Sequence, residues 1–204
     1  MWMTLARTIL VALAVGAALA PAGCGDDESS GDTRPAASGN AVDRAFVADM
    51  IPHHEAALQM AKIAQDRGLS PFVKQLADDI LRTQATEIEA MRAADERLKR
   101  AGVEQGSLGV PQDKMGMDHD ATTLETAKPF DTAFMRMMLP HHEGAITMSE
   151  AELAKGKDAE LRKLARQIIT AQQREISAMR KQLAKHGAAP MDDMDAAHGS
   201  GHSE

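Results

Sequence analysis

The sequence predicts an all-α protein, a four-helix bundle made of two repeated helical hairpins. Three observations carry that reading. Strand signals are nearly absent, because β-branched and aromatic residues never cluster in alternation. Apolar residues instead recur at three- and four-residue spacing in four segments. The chain also repeats itself at an offset of 88: residues 43–64 against 131–152 share ten identities in twenty-two positions without a gap, and 76–92 against 164–180 share nine in seventeen. Four amphipathic helices with short hairpin turns and one long central connection close as a bundle.

The chain begins with a segment, residues 1–23, that reads as a signal rather than as part of the fold. Leu5–Ala20 is an apolar run broken only by Arg7 and Thr8, too short to span a bilayer and typical of a secretory signal. Cleavage after Ala18-Leu19-Ala20 would leave Cys24 as a free thiol in a secreted, soluble protein. Pro21-Ala22-Gly23-Cys24 offers the other reading, a bacterial lipobox that makes Cys24 the lipidated first residue, although Pro21 stands where such a box has leucine. Cys24 is the single cysteine of the chain and a Gly/Ser/Asp-rich stretch follows it, which favours the lipid anchor. Residues 24–42 form a flexible tether, too poor in large apolar side chains to build a core. The expected location is therefore extracytoplasmic, a lipoprotein of the periplasm or cell surface, without disulfides.

The first hairpin occupies residues 43–102. Its first helix starts on Asp43 as N-cap and runs to about Arg67, before Gly68. Pro52 lies inside it and should kink it; a start at Pro52 as the first helical residue is the rival reading. The second helix begins at Ser70-Pro71 and ends near Gly102. Residues 103–129 form a Gly/Pro-punctuated linker. The second hairpin, 130–187, repeats the pattern with helices at about 130–155 and 158–186, and residues 188–204 form a disordered tail.

The chemistry concentrates in Met50-Ile51-Pro52-His53-His54-Glu55 and its repeat Met138-Leu139-Pro140-His141-His142-Glu143. At 100° per residue, Phe46, Met50, Ala57, Ala61 and Ala64 share one arc, His53 and His54 straddle its middle, Met60 lies beside His53, and Glu55 falls almost opposite. On the second helix Leu76, Ile80, Gln84, Glu87, Met91, Ala94 and Leu98 form one stripe with Glu87 near its centre. Leu164, Ile168, Gln172, Glu175 and Met179 repeat it. A carboxylate on an apolar face requires a partner, and a histidine pair from the facing helix, with or without a metal, supplies one. Imidazole, thioether and one carboxylate per half form a donor set suited to copper, as Cu(I) or Cu(II), and poor for magnesium or calcium. The candidate ligands are thus His53, His54, Met50, Met60, Glu87 and Met91, with His141, His142, Met138, Met148, Glu175 and Met179. A buried His–Glu pair that only fixes helix register is the alternative.

Two further segments carry the same donor types in polar surroundings that offer no core. They are Met115, Met117 and His119 in the linker, and Met191, Met194, His198 and His202 in the tail. These read as accessory capture arms. The formal net charge of −7, or −8 once Arg7 leaves with the signal, and the shortage of aromatics exclude nucleic acid as a partner.

With the Phe-x-x-x-Met-x-Pro-His-His-Glu-x-Ala…Met and Gln-x-x-Glu-Ile-x-x-Met-Arg patterns in view, residues 43–186 resemble the DUF305 family in two tandem copies. That resemblance implies a secreted bacterial protein with a ferritin-like helical fold, and copper binding of the kind some relatives show in copper resistance. It carries onto His53, His54, Met60, Glu87 and Met91, and onto His141, His142, Met148, Glu175 and Met179. Gly144 stands where the first copy has Ala56 and should loosen the third helix slightly.

The expected function is non-enzymatic: copper sequestration, buffering or resistance outside the cytoplasm, with one site per half. The partners would be the metal ion, a membrane reached through Cys24, and a copper-transfer protein or a second copy of the chain. A metal-free helical interaction module at the cell surface is the alternative. A ferritin-like di-metal oxidase is a weaker one, since no Glu-x-x-His occurs in the chain.

Overall fold

The structure, a computed structural model, describes residues 39–185 and Gly187. Cys24, Met191, Met194, His198 and His202 lie outside the described residues, as do the signal, most of the tether and the tail. Four helices carry the fold: α1 (Ala41–Arg67), α2 (Pro71–Arg100), α3 (Phe130–Lys155) and α4 (Ala159–Lys185). Two short 3-10 turns, Gln112–Lys114 and Ala121–Glu125, lie between α2 and α3. No helix among the described residues is long and apolar enough to cross a membrane.

The helix ends follow local chemistry, with one correction to the sequence reading. The N-cap of α1 is Asn40 and not Asp43. The Asn40 side chain accepts from the amides of Val42 and Asp43, while Asp43 returns a bond to the Asn40 amide at 2.5 Å. Asp43 is thus the third residue of a capping box and the helix begins three residues earlier than expected. At α2, Ser70 Oγ accepts from the Val73 amide, with Pro71 in the first turn. At α4, Asp158 accepts from Glu160 and Leu161. Both α1 and α3 run unbroken through their internal prolines, Pro52 and Pro140, although each proline removes one backbone bond to the preceding turn.

The four helices bury two separate apolar clusters. One gathers Ala57, Met60 and Ala64 of α1, Leu76 and Ile80 of α2, Phe134 and Met138 of α3, and Met179 of α4. The other gathers Phe46 and Met50 of α1, Ile88 and Met91 of α2, Met148 of α3, and Leu161 and Ile168 of α4. Each cluster therefore takes the first half of one helix and the second half of its neighbour, so α1 runs antiparallel to α3 and α2 to α4. Between the clusters, at the waist, lie His53, His54, Gln84, His141, His142 and Gln172, all buried.

The turn of each hairpin is held by an aspartate from the other hairpin. Asp43 accepts from the amides of Lys157 and Asp158, at 2.9 and 2.8 Å. Asp131, 88 residues on, accepts from Leu69 and Ser70, at 2.9 and 2.8 Å. The linker is equally fixed, which corrects the expectation that it offers no packing. Leu108 and Leu124 are core residues. Arg67 holds the carbonyls of Leu124 and Ala127, and the Gly106 amide donates to the Ala41 carbonyl at 2.9 Å.

Candidate metal centre

Helix phase places both histidines of each pair inside the bundle, because a turn of α1 or α3 is buried on more than one side. His53, His54 and His142 are fully buried and His141 nearly so. Glu55 and Glu143 turn outward instead, to Arg92 and Arg180, each at 2.7 Å.

Across the waist the rings form one row. His54 Nε2 lies 2.8 Å from Glu87 Oε2, and His142 Nε2 lies 2.6 Å from Glu175 Oε2. A carboxylate only accepts, so in each pair Nε2 donates, and Nδ1 is left without a partner. Inward from these, His53 and His141 meet face to face, with ring centroids 3.7 Å apart and planes tilted by 31°. The His53–His54 and His141–His142 centroids are 6.1 and 6.4 Å apart. Glu87 and Glu175 close the two ends of the row, with side chains only 15% and 12% exposed.

Both nitrogens of His53 and of His141, and Nδ1 of His54 and of His142, are buried without a hydrogen-bond partner. Burial, reinforced by the neighbouring imidazole of His54, pushes His53 down to about 3. Burial beside His53 holds His141 well below its ordinary range. The central pair is therefore neutral at any physiological pH. The Met115 backbone lies close enough to His53 to favour its protonated ring slightly, but neither nitrogen makes a bond of ordinary geometry.

The structure thus brings both histidine pairs into one row; the sequence reading favoured one site per half and left open whether the halves share one. It seats Glu87 and Glu175 behind His54 and His142, as the groups that orient them, rather than facing the central rings. Met50, Met60, Met91, Met138, Met148 and Met179 are buried in the two apolar clusters above and below the waist. In the linker Met115 is half-buried against the second cluster, while Met117 and His119 are exposed. Among the described residues, no three histidine, cysteine or carboxylate side chains converge as a finished metal cage. A bound ion would require the central rings to turn.

Sequence reasoning gave no role to three residues, two of which, Gln84 and Gln172, it had placed on the helix stripes. Gln84 and Gln172 lie in the buried layer with unpartnered amide atoms, at the positions just before Glu87 and Glu175 on the same stripes. Glu152 is fully buried, and its signal was present: it stands 88 residues after Ala64, a core position.

A four-helix bundle with a buried polar waist of paired histidines defines the class. The chain belongs to the family described as a domain of unknown function, DUF305, which it matches over residues 43–183. Among solved structures it is similar to CopM. The Cu(II)-bound form is 32% identical, covers 71% of this chain and 97% of that one, and gives a TM-score of 0.61. The Cu(I)-bound form is 30% identical with a TM-score of 0.59, covering 71% and 96%. A DUF305 protein from Streptomyces coelicolor, described as a candidate secreted protein, is 28% identical over 80% of this chain and 98% of its own, with a TM-score of 0.63. An uncharacterized protein of Acanthamoeba polyphaga mimivirus is 43% identical over 56 residues, 27% of this chain and 37% of the viral protein. The chain thus spans little more than a third of that curated relative.

Proposed function

We propose that the protein is a non-enzymatic copper-binding protein outside the cytoplasm, which sequesters, buffers or hands over copper and is held to a membrane by a lipid on Cys24. The observation that carries this reading is the buried row of four histidines with unpartnered ring nitrogens. Each buried polar atom left unpaired costs about 1–3 kcal/mol, and a row of them is hard to account for unless a ligand satisfies them. The donor chemistry fits copper: neutral imidazoles beside buried thioethers suit a soft or borderline ion. His54 and His142 already donate one N–H to a carboxylate, the arrangement that orients a metal-binding imidazole and strengthens its other nitrogen. The similarity to CopM, solved with Cu(I) and Cu(II), supports the same reading.

A Cu(I) titration of the mature protein against a competing chelator is expected to show about two tight equivalents. Replacing His53, His54, His141 and His142 together by alanine should abolish them. Unchanged stoichiometry in that four-histidine variant would rule the assignment out.

The absence of a finished three-donor cage among the described residues favours a second reading, a metal-free helical module in which the His–Glu pairs fix register. Elemental analysis of protein purified from copper-supplemented cells separates the two. Sub-stoichiometric copper would favour the metal-free module.

A further inference from the structure

The two halves of the bundle differ at the position where Ala56 of α1 corresponds to Gly144 of α3. A Cβ on Gly144 would run into the carbonyl of Met115, and a Cβ on Gly116 would run into the carbonyl of Pro140 and lie 2.9 Å from His141 Cα. Gly116 also has φ of +70°, a conformation that glycine adopts without cost. Two glycines therefore let the linker backbone rest directly on the turn of α3 that carries His141. A methyl group, as at Ala56, forbids that approach.

The same strap reaches the other half, because the Met115 backbone lies beside the His53 ring. It crosses the joint where His53 and His141 stack. From that joint outward the donors are graded: Met115 is half-buried against the cluster that holds Met50, Met91 and Met148, and Met117 and His119 are open to solvent.

We propose that the strap Lys114–His119 is the port by which a soft monovalent metal ion enters the central histidine pair. Met117 and His119 take the ion at the surface, and lifting of the strap from Gly144 passes it by way of Met115 to His53 and His141. Thioether and imidazole at each stage spare a soft ion full exposure to an apolar interior. At this seat backbone meets backbone with no interlocked side chains, so lifting it withdraws only the half-buried Met115 side chain from the core. This inference rests on the metal-binding reading above.

Silver(I), redox-inert and soft, is the probe, with binding followed by stopped flow on the mature chain. The double variant Met117→Leu/His119→Gln should slow association several-fold. Gly144→Ala, which installs the residue found in α1, should speed both association and dissociation. It should also raise diethyl pyrocarbonate labelling of His53 and His141 in the metal-free protein. If Gly144→Ala fails to fold, as judged by circular dichroism, the double variant carries the test. Silver bound at the histidines with wild-type kinetics in the double variant overturns the port. So does unchanged labelling in a folded Gly144→Ala protein. If silver binding in the wild type is the same as in the four-histidine variant, the metal-binding reading fails and takes the port with it.

Discussion

Glu152 lies fully buried beside Asp43 beneath the α3–α4 turn, and burial with the neighbouring carboxylate pushes its carboxyl up to about 8. Two ionised carboxylates side by side repel, so the protonated form of Glu152 is favoured beside Asp43. Its pKa is raised from 4.5, so between those values the unfolded chain sheds a proton that the folded chain keeps. Stability from this residue is therefore full at low pH, declines as pH rises from about 4.5 to 8, and is level above. Glu152→Gln keeps a donor and cannot ionise. Its melting temperature relative to wild type should rise steadily between pH 5 and 8. A difference that stays constant across that range would refute the protonated state. At the same scale, Glu87 and Glu175 were legible in the sequence, because a carboxylate in an apolar stripe is conspicuous. The contact of His53 with His141 was not. A helical projection fixes direction about one axis, whereas the ring met across the bundle depends on how α1 is staggered against α3.

The elements themselves were largely legible, since Ser70-Pro71 starts α2 where expected and the breaks at Gly68 and Gly156 fall at helix ends. The start of α1 was misread because Asp43 has good N-cap chemistry, while its carboxylate is used elsewhere. Asp43 and Asp131 stand at equivalent positions, yet they are not equally committed. Asp43 is fully buried and serves the α1 cap together with the amides of Lys157 and Asp158, whereas Asp131 serves two amides in a more exposed turn. Bonds to a charged acceptor contribute about 1.5–3 kcal/mol, most where water is excluded. Urea denaturation should therefore show Asp43→Ala costing about 3 kcal/mol and Asp131→Ala about 1.5 kcal/mol. Equal costs would mean that the cap bond from the Asn40 amide and the deeper burial of Asp43 contribute nothing of their own.

For the whole molecule, the repeat at 88 residues announced two hairpins but not how they share a core. That depends on contacts between residues far apart in sequence, and the linker, read as polar, hides Leu108 and Leu124 among its turn residues. Neither hairpin closes a core alone: Ala57, Ala61 and Ala64 of α1 are covered by Phe134 and Met138 of α3 and by Leu124 of the linker. Left single, the first hairpin would expose that face to water, at about 25 cal/mol per Å² of apolar surface. A second copy could cover it, because Phe46 and Met50 occupy the positions that correspond to Phe134 and Met138. A fragment of residues 39–106 is thus expected to gain helix content with concentration and to sediment as a dimer when helical. A fragment that is fully helical and monomeric at every concentration would show that the hairpin, and not the pair, is the folding unit. The row of histidines would then join two independent domains instead of forming the waist of one.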